Sequence, residues 1–330
     1  MQKVLHITNG DNTVDVMIKA NISGDFLPWR DVLHDGPVPN DLALESLSNI
    51  RAQFIIDRGW GAATDVRQSF AQRDAQLQCY SEYDKVILWF EHDLYDQLQI
   101  LQILDWINQN KSPTVELSII CTDQYLGRLT PNEVNNIIQQ ETSITEDHLS
   151  LSSKAWSAFR SNTPEKWYQL LHVDTAALPF LKDAVVRLLE EYPSKKYGLS
   201  RTAEQALRII SEGTTHASKI FSENQHLEER IFMGDNSFWV ILNELLTSQP
   251  PLIQITQEKT FTAASAEPPT PETQLINITA AGQAVLAGTL NGLTISTIDR
   301  WVGGVHLKAG NIWCWDRTTQ SIVKTPEQAY

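Results

Sequence analysis

KVILWFEHD, residues 85–93, decides the fold. Lys85–Phe90 is apolar without alternation, as in a strand covered on both faces, which is how strands of parallel sheets are buried. It runs into three titratable residues, Glu91, His92 and Asp93, and then into a helical stretch with Leu94, Leu98, Leu101, Ile103 and Leu104 along it. Working outward, VELSIIC (115–121) is a second such run and ends in Thr122-Asp123-Gln124. VLHIT (4–8) is a third. It ends in Asn9-Gly10-Asp11 and precedes a helical stretch over 13–20, in which Val14, Met17 and Ile18 share a face. Strand, loop and helix repeated in this order predict βαβ units and a Rossmann-like, mostly parallel sheet.

The 330 residues suit two domains. The spacing predicts an α/β ligand-binding domain over 1–150, a helical connector over 151–198 and an α+β domain over 199–330. PSKKYGLS (193–200) reads as a hinge, with Ser200 capping the helix that follows. Beyond it come a helix ending at Gly213, a helix over 236–247, strands over 252–256 and 275–278, and a short helix over 279–288. That order suggests a mainly helical, winged-helix-like C-terminal domain.

At 42% hydrophobic and 20% charged residues the composition is that of a folded chain. No run reaches the 18 apolar residues of a membrane span, and the N-terminus lacks the apolar core of a signal peptide. Three scattered cysteines give neither a zinc ribbon nor a disulfide framework, so a cytoplasmic location is the expectation. Residues 1–150 carry 10 Lys and Arg against 22 Asp and Glu, and residues 151–330 carry 16 against 18. The acidic first half disfavours a nucleic-acid partner, because neutralising phosphates requires a basic face.

Ligands of open parallel sheets bind beyond the carboxyl ends of the strands. Asn9-Gly10-Asp11 and Glu91-His92-Asp93 both fall there, each beside a helix N-terminus that favours anions. Asn9, Gly10 and Asp11 either meet a ligand or form a turn and cap. Glu91, His92 and Asp93 supply a general base, proton transfer or metal ligands, or else Asp93 caps the helix. LPWRDVLHDGPVP (27–39) gathers Trp29, Arg30, Asp31, His34 and Gly36 between prolines. Arg30 suits phosphate or carboxylate, Trp29 offers a stacking face, and His34 is an acid–base candidate. The alternative is a loop closed on itself by an Arg30–Asp ion pair. In the second half, Arg300 and His306 flank Gly303-Gly304 and are candidates for a site at a domain interface, or for a turn before the last strand pair.

The segments VLHITNGD, FLPWRDVLHDGPVP and ILWFEHDLYDQLQ together resemble the bacterial family called domain of unknown function 1835, over roughly residues 1–130. LSRTAEQAL, FMGDNSFW, ITAAG and DRWVGGVHL are similar to the C-terminal region that accompanies it, with isoleucine where leucine is usual in ITAAG. The resemblance implies no activity. It groups Asn9, Gly10, Asp11, Trp29, Arg30, Asp31, His34, Gly36, Glu91, His92 and Asp93 as one set.

Three functions follow as expectations. The first is an enzyme or ligand-binding protein for a nucleotide or other phosphate-bearing small molecule, with Mg²⁺ or Mn²⁺ on Asp11, Glu91 and Asp93 and with His34, His92 and Glu91 as catalytic groups. The second is a ligand-sensing transcription regulator whose C-terminal domain binds DNA. The third is a protein–protein adaptor using some of the ten tryptophans as exposed anchors.

Overall fold

The computed structural model describes residues 2–255 and 275–325. In chain order it begins β1 (Val4–Thr8), α1 (Asp11–Lys19), β2 (Asp25–Pro28), α2 (Leu44–Asp57), α3 (Ala63–Gln78), β3 (Lys85–Glu91), α4 (Leu94–Gln109), β4 (Glu116–Thr122), α5 (Pro131–Ile137), β5 (Thr142–Ser143) and α6 (Glu146–Phe159). The strands form one sheet in the order β2-β1-β3-β4-β5, parallel except for the short antiparallel edge strand β5. The protein is therefore α/β with a mostly parallel sheet.

The continuous apolar run of β3 has a direct cause. Val86, Leu88 and Phe90 face a core shared with Leu98 and Leu101 of α4. Ile87 and Trp89 face a second core with Val16 and Met17 of α1 and Val134 of α5. Both faces are dry, so polar alternation would place a side chain in apolar surroundings.

The helices α7 (Glu165–Gln169) and α8 (Leu181–Leu189) follow. Trp156, Phe159, Trp167, Val185 and Leu188 all belong to the core that covers α4. Residues 151–189 are thus part of the first unit and not a connector.

A smaller unit comes next, with α9 (Arg201–Ser211), α10 (Ala217–His226), α11 (Asp235–Thr247), β6 (Ile253–Ile255), β7 (Ile276–Ile278) and α12 (Ala280–Leu286). It has its own core, including Leu207, Phe238, Leu242, Ile253 and Ile276. Ser200 Oγ caps α9 by accepting from Ala203 N at 3.2 Å, and Thr279 caps α12. β6 and β7 pair antiparallel, and His216, between α9 and α10, bridges to Leu275.

The chain then returns. Hairpins β8 (Arg300–Val302) with β9 (Val305–Leu307), and β10 (Trp313–Asp316) with β11 (Ser321–Lys324), add Val302, Val305, Leu307, Trp313 and Trp315 to the first core. The boundary expected at 199–330 is redrawn accordingly: the smaller unit ends before residue 300. Two-stranded hairpins bury too little to stand alone and need another element's apolar face. Periodicity reports that a strand has such a face, but not which core receives it.

Among the described residues no helix is long and apolar enough to cross a membrane. Of the ten tryptophans, Trp60, Trp106, Trp239 and Trp301 are partly exposed and the others are buried. The three cysteines are free.

Candidate functional site

β1 and β3 are neighbours, but the chain leaves β1 toward β2 on one side and β3 toward β4 on the other. Ligands of open parallel sheets bind where the strand order reverses in this way, beyond the carboxyl ends of the strands. Asn9 follows β1 and Glu91 ends β3, so both stand at that point. Asn9 Nδ2 donates to Glu91 Oε1 at 2.9 Å and to Asp96 Oδ2 at 3.1 Å, and its Oδ1 accepts from Thr13 Oγ1 at 2.7 Å. Glu91 Oε1 also accepts from the Leu126 amide at 2.7 Å. Asp96 Oδ1 accepts from the Glu91 amide at 2.6 Å. Asp93 is the N-cap of α4, accepting from the Tyr95 and Asp96 amides at 2.9 and 3.2 Å.

Carboxylate oxygens of Glu91, Asp93 and Asp96 all lie within 4.8 Å of one another, and all three residues are buried. Charges of one sign, shielded from water, cannot all persist at neutral pH. Burial, reinforced by Glu91, pushes the Asp93 carboxyl from 3.8 up to about 7. Asp96 is raised well above the ordinary range by burial and then by Asp93 and Glu91, and Glu91 is raised by burial. The cluster can hold shared protons or a hard cation with oxygen ligands. Asp96 was not among the sequence candidates. Its signal was the spacing in HDLYD, which places Asp96 three residues after the cap, in the first turn of α4.

Asp11, grouped with Glu91 and Asp93 as a metal ligand in the sequence reading, lies outside this carboxylate group. It opens α1 and takes Arg30 in a two-pronged pair, Nε to Oδ2 at 2.7 Å and Nη2 to Oδ1 at 2.6 Å. Both side chains are about half exposed, and Arg30 lowers the Asp11 carboxyl. Gly10 is extended, and a Cβ placed on it would meet nothing within 4 Å, so there is open space beside Gly10. His92 turns away from the cluster, its ring 5.1 Å from Tyr125 and 5.9 Å from Phe180, with Nδ1 buried and unpartnered among the described residues. Burial lowers its pKa.

The loop over 27–39 is positioned by residues that the sequence reading missed, Arg51 of α2 and Arg73 of α3. Arg51 Nε donates to Asp31 Oδ1 at 3.0 Å, and its other nitrogens bond the carbonyls of Val32, Asp35 and Pro37. Arg73 lies 3.9 Å from Asp31 and stacks 4.0 Å over Trp29. Trp29 and Asp31 are therefore not ligand groups. Trp29 is completely buried with Nε1 on Gln102, and Asp31 is enclosed between two guanidiniums. The ion pair that closes the loop is Arg51–Asp31; Arg30 belongs to Asp11. Gly36 is a structural residue, at φ 79° with the Phe54 ring where a Cβ would stand.

His34 is buried against Phe232 at 5.1 Å and Tyr95 at 6.0 Å, and neither ring nitrogen has a partner among the described residues. Burial lowers its pKa to about 4, so it is neutral at neutral pH. Tyr95 separates it from Asn9, whose carbonyl accepts from the Tyr95 hydroxyl at 3.4 Å.

Arg300 and His306 are apart from this cluster. Arg300 bonds the Glu191 carbonyl and pairs with its carboxylate at 3.5 Å. His306 Nε2 meets Asp299 Oδ1 at 2.5 Å, and its ring stacks on Trp301 with centroids 4.3 Å apart. Comparison with protein-family models and with curated proteins gave no match. The functional reading therefore rests on this geometry.

Proposed function

We propose that the first unit, a Rossmann-like domain, binds a divalent cation through Glu91, Asp93 and Asp96 and, through that cation, a phosphate-bearing small molecule such as a nucleotide. The observation that carries this reading is the convergence of three buried carboxylates at the point where the strand order reverses. An all-oxygen donor set suits Mg²⁺ or Mn²⁺. The cation would take the place of the shared protons and relieve the mutual repulsion. Phosphate oxygens would approach the N-terminus of α1 beside Gly10, where backbone N–H groups attract anions. Arg30 would exchange Asp11 for phosphate, a planar fork meeting either partner. The motifs that carry the family resemblance fall within this unit, and we propose kinship with that family on the same ground. The function proposed is binding; no reaction is assigned.

Calorimetric titration tests the reading. Mn²⁺ should bind the wild type, and Asp96→Asn should weaken it at least tenfold. ATP should bind only with the cation present and more weakly to Arg30→Ala. Ligand at 100 times its Kd adds about 2.7 kcal/mol of stability, a rise in Tm of a few degrees. Absence of any Mg²⁺ or Mn²⁺ binding sinks the proposal.

A second reading is favoured by the order of the smaller unit: helix, bridging residue, helix, helix, hairpin, as in a winged helix. We read it as a docking unit and not a DNA reader. Its third helix, α11, carries Asp235 and Glu244 and no Lys or Arg. Ser237, Val240, Ile241 and Glu244 of that helix border a small cavity shared with His34, Asp35 and Arg58 of the first unit. A salt-sensitive gel shift with duplex DNA would reverse this assignment.

A further inference from the structure

A cavity of about 780 Å³ separates the smaller unit from the returning tail. That volume is in the range of small-molecule sites, roughly 300–1,000 Å³. Its wall is mainly aliphatic and hydroxyl-bearing, with Ile241, Leu245, Leu252, Ile298 and Ile312 on it. Among the described residues, the charged side chains on the wall are Glu244, Asp299 and Arg300. Arg300 is spent on Glu191, and Asp299 is held by His306. The Glu244 carboxylate makes no hydrogen bond or ion pair among the described residues, and the charges of Arg300 and Arg58 act on it only at longer range.

The surroundings of Glu244 are unusual for a free carboxylate. Enough protein encloses it that burial raises its pKa, yet its surface is exposed. Glu244 lines this cavity and also the smaller one shared with the first unit. A half-enclosed carboxylate with no hydrogen-bonded side-chain partner attracts a cation more strongly than one on an open surface, since the effective dielectric is lower. We propose that this cavity binds a small organic cation with an apolar body, its ammonium or guanidinium group pairing with Glu244 and its body lying on the aliphatic wall. Because α11 and the tail belong to different cores, such a ligand bridges the two units.

The test uses the full chain, with a chelator present to keep divalent cations out. Tryptamine, agmatine and spermidine are titrated calorimetrically, with tryptophol as the neutral counterpart of tryptamine. At least one cation should bind saturably, and tryptophol at least tenfold more weakly than tryptamine. Glu244→Gln should weaken the cation at least tenfold while leaving the ligand-free Tm near that of the wild type. Ser296→Trp, at an exposed wall position, should block the cavity and decide the matter if Glu244→Gln does not fold. No binding by any of the cations, equal binding of tryptophol and tryptamine, or full affinity in folded Glu244→Gln or Ser296→Trp would each overturn the proposal.

Discussion

Asp93 and His34 shift in opposite senses, and together they set how the molecule responds to pH. A carboxyl raised from 3.8 to about 7 stabilises the fold fully below its ordinary value, and that contribution is lost as pH rises through about 7. An imidazole lowered from 6.5 to about 4 contributes above 6.5, and its contribution is lost as pH falls through about 4. Asp96→Asn removes one member of the carboxylate cluster and lets Glu91 and Asp93 ionise at lower pH. The stability of this variant relative to wild type should therefore increase from pH 5 to pH 7.5, as read by urea denaturation with chelator present. A difference that is flat or shrinks over that interval would mean that the three groups are not coupled. At this scale the sequence exposed Asn9, Glu91 and Asp93, because they follow unmistakable strands. It hid Arg51 and Arg73, which lie far along the chain in helices of weakly patterned composition. Trp29 and Asp31 looked functional because their chemistry is rich. Only their burial shows that this chemistry is used to hold the loop.

Within the large sheet, β1, β3 and β4 could be read from sequence because their two faces are covered, and β6 and β7 read as short apolar runs. β2 escaped because DFLP is short and only partly buried, and β8 and β9 escaped because three residues show no period. The β8–β9 turn is nonetheless closely fitted. Gly303 has φ 59°, its carbonyl accepts from the Val38 amide at 2.9 Å, and the Gly304 amide donates to the Phe159 carbonyl at 2.9 Å. A Cβ on Gly304 would stand 2.0 Å from the Arg160 carbonyl oxygen. Gly304→Ala should cost about 1–3 kcal/mol through displaced backbone. Gly234→Ala, where a Cβ meets nothing, changes only the N-cap of α11 and should cost less. Thermal melts of the two variants should differ by several degrees. Equal melts would show that the hairpin does not seat on the end of α6 as described.

Taken whole, the described residues form two units joined by a chain that visits the first, builds the second and comes back. The last thirty or so residues of the sequence, grouped there with the segment over 199–330, place their buried strand residues in the first core, since apolar strands carry no address. A chain ending at residue 298 would lack Val302, Val305, Leu307, Trp313 and Trp315. Each buried side chain of this kind is worth about 1.5–3 kcal/mol, and together they rival the roughly 5–15 kcal/mol that holds a domain folded. The truncated chain should lose the cooperative melt of the first unit while the helices of the smaller one persist in circular dichroism. A wild-type-like melt would show the tail to be dispensable.

The same return path has a consequence for biosynthesis. A chain emerging from the ribosome N-terminus first offers its sheet early, but the strands that finish covering that core are made only after the whole of the smaller unit. The smaller unit has every residue of its own core in hand before them. The part translated second can therefore finish folding first, while the part translated first waits with apolar surface uncovered. That interval is when an unfinished core is most exposed to aggregation or to chaperones.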